Sequence, residues 1–299
     1  YGLVDNATPT FEGWTTLAAM GAIVRRARVG CMVTGVTYRN PAILAKMAVT
    51  VDHITGGRMD FGIGAGWHED EHRAYGIEFP GPGTRVQMLD EALTVIRRLW
   101  TEDSVTFAGE FFTLTDALCE PKPIQRPHPP IVIGGSKPKM LRVIARHADE
   151  WNMPNHRRPA EWGETNLLLD QACADVGREP AEVRRSVQLF LHPRKPGQVD
   201  EQLDLLPQYR DLGCEHAVLS FYQPPDIELL ERCARPCLSP RPSRRREMAK
   251  EVVQQRRLTI RVACAVFSIS ESCYRYESKQ NAENELIAAW LLRLTDNHR

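Results

Sequence analysis

The 299-residue chain has no run of about 18 or more consecutive apolar residues, so it offers no candidate membrane-spanning helix. Neither sign of charge is in excess, since 38 Lys and Arg face 38 Asp and Glu. No net electrostatic pull toward nucleic acid or a membrane surface acts on the chain as a whole. The opening Tyr1-Gly2-Leu3-Val4-Asp5 has neither an initiator Met nor a signal-peptide pattern, which leads us to expect a start further upstream and a cytoplasmic protein. The eight cysteines include no CxxC pair, and most fall in apolar helix or strand contexts. Reduced, inert, buried thiols are expected from that. Cys233 and Cys237 could share a helix face, but no His or second Cys pair joins them, so no metal is expected.

What the chain does have is regular alternation. Short unbroken apolar runs occur at 27–33, 58–64, 131–133, 150–153, 183–191 and 216–221. Between them lie segments with helical spacing, at 15–26, 40–53, 85–100, 138–147, 161–176 and 199–212, and the run at 216–221 is followed by another from 227. Residues 105–114 read as a hairpin inside a long excursion that ends in Pro129-Pro130. Apolar strands alternating with helices imply a parallel sheet buried on both faces. Six strands in β-α order are two short of a closed (β/α)8 barrel, so the expected fold is a TIM barrel lacking its first two strands. Such a barrel exposes unpaired edges, so poor solubility or an unusual homo-oligomer is expected.

In parallel α/β folds the working groups gather at the C-terminal ends of strands. Three ends stand out. At Met32-Val33-Thr34-Gly35 a strand runs into small and hydroxyl residues before Asn40-Pro41 opens a helix. Thr34 is suited to bonding a flat polar heterocycle; an ordinary strand-to-helix turn is the alternative. At Gly64-Ala65-Gly66-Trp67 alternate glycines let a ligand lie against the backbone and Trp67 supplies a wall, with close strand packing as the alternative. At Gly134-Gly135-Ser136-Lys137 glycines precede a helix start, with a hydroxyl and Lys alongside, which reads as a phosphate cradle, with a plain Gly-rich turn as the alternative. His68, Glu69, Glu71 and His72 read as a solvated helix start rather than a metal site. Together the three ends suggest a flat ring system with a phosphate tail at a barrel mouth, that is, a flavin or deazaflavin nucleotide.

The stretches Val33-Thr34-Gly35-Val36-Thr37-Tyr38-Arg39-Asn40-Pro41, Gly56-Gly57-Arg58, Gly62-Ile63-Gly64-Ala65-Gly66-Trp67, Glu120-Pro121-Lys122-Pro123 and Ala148-Asp149-Glu150-Trp151-Asn152 resemble the luciferase-like monooxygenase superfamily, in its coenzyme F420-dependent branch. The resemblance covers about residues 1–235 and is assigned a domain at 1–237. It implies a TIM barrel with coenzyme F420, or alternatively FMN, at the C-terminal face. The ring is then held by Met32, Val33, Thr34, Gly64, Ala65, Gly66 and Trp67, and the phosphate by Gly134, Gly135, Ser136 and Lys137. A non-proline cis peptide near Met32 to Thr34 is implied as well. The reaction implied is hydride transfer, or flavin-based oxygenation, on a small organic substrate. No catalytic residue is named, because the family's acid–base groups belong to a preceding strand.

After the break at Leu238-Ser239-Pro240-Arg241-Pro242-Ser243 the composition turns basic and strands disappear. Arg244-Arg245-Arg246, Ile260-Arg261-Val262-Ala263-Cys264 and Ser270-Glu271-Ser272-Cys273-Tyr274 resemble the helix-turn-helix of insertion-element transposases. This small all-α segment, 238–299, implies weak DNA binding through 243–276 by phosphate contacts. An oxidoreductase gene fused to an insertion-element remnant, with impaired activity, is the origin that this pattern suggests.

Overall fold

The computed structural model describes residues 10–154, 158–222 and 224–234. The elements, in chain order, are α1 Gly13–Ile23, β1 Val29–Gly30, β2 Thr34–Gly35, α2 Pro41–Thr55, β3 Met59–Gly64, α3 Glu69–Ala74, α4 Pro82–Thr101, β4 Val105–Ala108, β5 Thr113–Ala117, β6 Ile131–Gly134, α5 Pro138–His147, β7 Glu150–Pro154, α6 Pro159–Asp175, β8 Arg184–Leu191, α7 Pro196–Leu203, α8 Leu206–Asp211, β9 His216–Phe221 and α9 Ile227–Ala234. The chain divides into two compact units, Tyr1–Tyr222 and Gln223–Arg299. In the second, the described part is a short lead and α9, where the Asp226 carboxylate accepts from the Leu229 amide at 2.7 Å. The proposed helix-turn-helix at 243–276 lies outside the described residues.

The first unit is a curled parallel half-barrel. Its strands run β1-β3-β6-β7-β8-β9 in spatial order, with β2 also paired to β3, so the sheet follows the chain without reversal. β1 and β2 occupy one place beside β3: Val29 pairs with Met59, and Thr34 with Ile63. Of the strand expected over 27–33 only Val29–Gly30 pairs, and β2 follows after a turn that contains a cis Met32–Val33 bond. The helix expected over 199–212 is likewise broken into α7 and α8. The excursion folds as an antiparallel hairpin of β4 and β5.

Side chains alternate across each strand. Phe61 turns outward and meets Trp14 of α1 at 5.9 Å and Trp100 of α4 at 5.0 Å between ring centres. Trp151 stacks on Trp162 of α6 at 5.3 Å, and Trp162 meets Tyr209 of α8 edge-on at 6.0 Å. This aromatic layer is the core between sheet and helices. Each such pair adds about 0.5–1.5 kcal/mol beyond the area that it buries. Helix α2 is fixed at both ends by local chemistry. The Asn40 side chain accepts from the Ala42 amide at 2.9 Å and Pro41 occupies the first turn, while Gly56 closes α2 at φ 63°.

The opposite, concave side of the sheet is polar on its later strands. Asn152 donates to the Ser186 hydroxyl at 2.9 Å, which donates on to the Trp151 carbonyl at 2.9 Å. Glu150 holds His216 at 2.8 Å and Arg184 at 3.4 Å. Burial pulls the Glu150 carboxyl upward, but the hydrogen bond and charge of His216 outweigh it, so the group sits below its ordinary pKa.

Candidate cofactor site

Register carries the first two glycine ends to neighbouring places and sets the third beside them. Gly35 pairs with Gly64. Ile63 pairs with Ile133, one residue before Gly64 and Gly134. Gly134 pairs with Asn152 on the far side. All three ends therefore open at the C-terminal edge of the same sheet, on adjoining strands.

The reason for the glycines differs in part from the one their pattern suggested. A Cβ on Gly62 would fall 1.8 Å from the Cys31 carbonyl, and one on Gly64 would fall 3.0 Å from the Val33 side chain. These two glycines admit the chain between β1 and β2, not a ligand. Gly66 is needed for its φ of 81°. Above Gly134 the space is open: its nearest neighbour would be the Asn152 carbonyl at 3.6 Å.

Met32, Val33 and Trp67 leave apolar surface exposed at this edge, Trp67 at 68% and the other two near 40%. Ala65 and Gly66 between them are half-buried. Thr34, by contrast, is buried, and its hydroxyl accepts from the Arg39 guanidinium at 3.4 Å. Arg39 in turn pairs with Glu12, whose carboxylate caps α1 by accepting from the Trp14 and Thr15 amides at 3.0 and 2.7 Å. Glu12 and Arg39 tie the first helix to the turn after β2, and the sequence pattern gave no hint of that pair.

At the third end, Gly135 stands at φ 143° and donates to the Asn152 carbonyl at 3.3 Å. Lys137 is the residue before α5, with Pro138 in the first turn and no side-chain cap. Leu141 is the first α5 amide with an acceptor, the Lys137 carbonyl at 2.9 Å. The amides of Ser136, Lys137, Lys139 and Met140 have no acceptor among the described residues, and Ser136 is half-buried beside the exposed Lys137 and Lys139. Unclaimed amide donors, a helix positive end and two ammonium groups suit a phosphate. The residues present thus fit a phosphate-tailed ring: open space, exposed apolar side chains and unclaimed donors lie along one edge.

The segment after Trp67 is a helix start, as expected, with Glu69 and Asp70 exposed, but His72 is buried rather than solvated. His68-Glu69-Asp70-Glu71-His72 spells the HExxH pattern, yet its geometry is not that of a zinc helix. His68 is the residue before α3, and its Nδ1 accepts from the Glu71 amide at 3.3 Å. His72 is fully buried, with Nδ1 2.7 Å from the His68 carbonyl and Nε2 2.6 Å from the Thr37 hydroxyl. Both His72 nitrogens are already used by the protein. Among the described residues no group of three or more His, Cys, Asp or Glu could hold a metal ion. Tyr38 packs on the His72 ring at 4.5 Å and donates to Glu71 at 2.5 Å. Burial, with Glu71 second, pushes the Tyr38 phenol well above its ordinary pKa.

Comparison with known proteins identifies the fold and the family. An uncharacterized protein of Mycobacterium tuberculosis is 35% identical over 176 residues, 58% of this chain and 60% of its own length. A phthiodiolone/phenolphthiodiolone dimycocerosates ketoreductase of Mycobacterium sp. strain JLS is 33% identical over 207 residues, 68% of this chain and 53% of its own. The chain therefore spans between half and two thirds of the length of these relatives. Among solved structures, an F420-dependent secondary alcohol dehydrogenase in complex with an F420-acetone adduct superimposes with a TM-score of 0.70 at 18% identity, covering 79% of this chain and 87% of that one. The coenzyme F420 dependent tetrahydromethanopterin reductase of Methanopyrus kandleri gives 0.55 at 20% identity, covering 65% and 58%. At such identities these two likenesses speak for the fold. Among the described residues no helix is long and apolar enough to cross a membrane. The family model of the luciferase-like monooxygenases matches residues 3–255, and the chain belongs to that family.

Proposed function

We propose that this chain is part of a deazaflavin- or flavin-dependent oxidoreductase that binds coenzyme F420, or alternatively FMN, along the edge formed by Gly64–Trp67 and Gly134–Lys137. The single observation that carries the reading is the register: Gly35, Gly64 and Gly134 end adjoining parallel strands, beside unclaimed amides at the start of α5. In this reading Met32, Val33 and Trp67 cover the apolar face of the ring, and Ser136 and Lys137 with the neighbouring amides hold the phosphate. The bound cofactor would supply the hydride or the oxygen chemistry, and a small organic substrate would receive it. F420 is preferred because two of the structural neighbours above are named for it.

The described residues leave β1 and β9 as sheet edges. A closed barrel needs two further strands between them, and we propose that the complete site includes them. Weak DNA binding through 243–276 rests on the helix-turn-helix resemblance alone, and deletion of the residues after Pro240 would abolish any salt-dependent DNA retention.

Fluorescence titration of the full chain with F420 and with FMN tests the main reading. Saturable quenching by one of them is expected. Linear, non-saturating response to both would overturn it.

A further inference from the structure

Resting on that reading, we infer that His72 is a positioning residue: through its hydrogen bond to Thr37 it holds the Gly64–Trp67 turn in the shape that the cofactor edge requires. The His68 carbonyl can only accept, so His72 Nδ1 at 2.7 Å must carry a proton. Nε2, the other ring nitrogen, makes its hydrogen bond with the Thr37 hydroxyl at 2.6 Å. The ring thus joins two segments that the sequence keeps 35 residues apart, the turn after β2 and the loop after β3. The loop after β3 contributes Ala65, Gly66 and Trp67 to the proposed site, and the turn after β2 directly follows the strand that carries Thr34.

The joint is built against Gly66. A Cβ there would lie 3.1 Å from Thr37 Oγ1 and 3.9 Å from His72 Nε2, so the hydroxyl–imidazole pair packs directly on the Gly66 backbone. The ring cannot drift, because Tyr38 lies against it at 4.5 Å and Phe79 at 4.6 Å, and Phe79 is covered in turn by the Arg85 guanidinium at 3.8 Å. Arg85 is itself anchored on the Pro80 carbonyl. Trp67, one residue beyond Gly66, is 68% exposed, and its one aromatic contact among the described residues is the neighbouring His68, at 5.0 Å. Its aim is therefore set by the backbone of the turn, and the backbone rests on Thr37 and His72. A turn that must present an exposed Trp to a ligand needs such an anchor, since the cost of ordering it would otherwise fall on binding.

The test uses Thr37→Val, Thr37→Ser, His72→Phe and the Thr37→Val/His72→Phe pair in the full chain. Dissociation constants for F420 or FMN, whichever the unmodified chain binds, are measured at a temperature where every variant is folded. Loss of one hydrogen bond to the buried ring predicts about tenfold weaker binding in Thr37→Val. Thr37→Ser should restore affinity to within about threefold, and the double variant should be no weaker than His72→Phe alone, because both remove the same bond. Amide exchange over 64–67 in the unliganded chain should quicken in Thr37→Val and recover in Thr37→Ser. A role confined to stability would lower the melting temperature and leave affinity and local exchange unchanged, and that result overturns the inference. Should His72→Phe fail to fold, the Thr37 pair decides. Should the unmodified chain bind neither cofactor, the functional reading fails, while the exchange measurement still judges the anchor.

Discussion

Replacing Gly62 by Ala probes the packing that creates the cofactor edge. Gly62 lies in the middle of β3, and the added methyl would sit 1.8 Å from the Cys31 carbonyl oxygen and 3.0 Å from its carbon. Those are backbone atoms of the turn between β1 and β2, and backbone atoms cannot rotate away as a side chain can. Either that turn or β3 must shift, and the cost belongs at the upper end for overpacking, about 3 kcal/mol. For a domain of this size each kcal/mol moves the melting temperature by roughly 2–4 °C, so a drop of roughly 6–12 °C follows. Gly64→Ala is the internal control. Its methyl meets only the Val33 side chain, at 3.0 Å, and that side chain has room to turn toward solvent. A cost of about 1 kcal/mol is expected there. Gly81, with nothing within 4 Å of a Cβ, should tolerate Ala with no measurable change. Urea unfolding of the three variants gives the order directly. Equal destabilisation by Gly62→Ala and Gly64→Ala would refute the claim that β3 owes its glycines to close approach of the chain between β1 and β2.

Two further predictions follow from charge and donors. Burial raises the Asp90 carboxyl, but the hydrogen bond and charge of His147 and the Arg146 guanidinium outweigh it, so the folded group titrates below its ordinary 3.8. A depressed folded pKa gives stability that is fully present above the unfolded value and lost as pH falls through the folded one. Glu150 behaves in the same way. Stability should fall as the solution is acidified below the ordinary carboxylate range, and Asp90→Asn should flatten that fall in melts recorded across pH. Lys137→Ala should weaken FMN binding by about tenfold while leaving riboflavin, which lacks the phosphate, unchanged. Equal losses for both ligands would place the phosphate elsewhere.

Much of the fold is legible in the sequence because its signals are local. Asn40-Pro41 and Gly56 mark the two ends of α2, and the apolar runs at 131–133 and 183–191 mark buried parallel strands. The three glycine-bearing ends are also legible, since strand order in a regular β-α chain sets them side by side. What escapes is whatever depends on contacts distant in sequence. Asp52 reads as a polar residue in a helix, yet it is buried and accepts from the Ile124 and Gln125 amides at 2.7 and 3.1 Å, fastening the end of the excursion. His72 reads as solvated because its neighbours are charged; only the fold brings Thr37 and Tyr38 against it. The glycine alternation at Gly62–Gly64 looks the same whether a ligand or a neighbouring stretch of chain fills the space, and register alone distinguishes the two. Periodicity likewise gives no sign of the break between α7 and α8, since the apolar spacing continues across it.

Deuterium exchange of the full chain, with and without saturating F420 or FMN, puts the shared edge to the most direct trial. Residues 32–35, 64–67 and 134–140 should gain protection together, at one ligand concentration. Protection confined to a single one of these segments, or ligand binding that leaves all three unchanged, would contradict it.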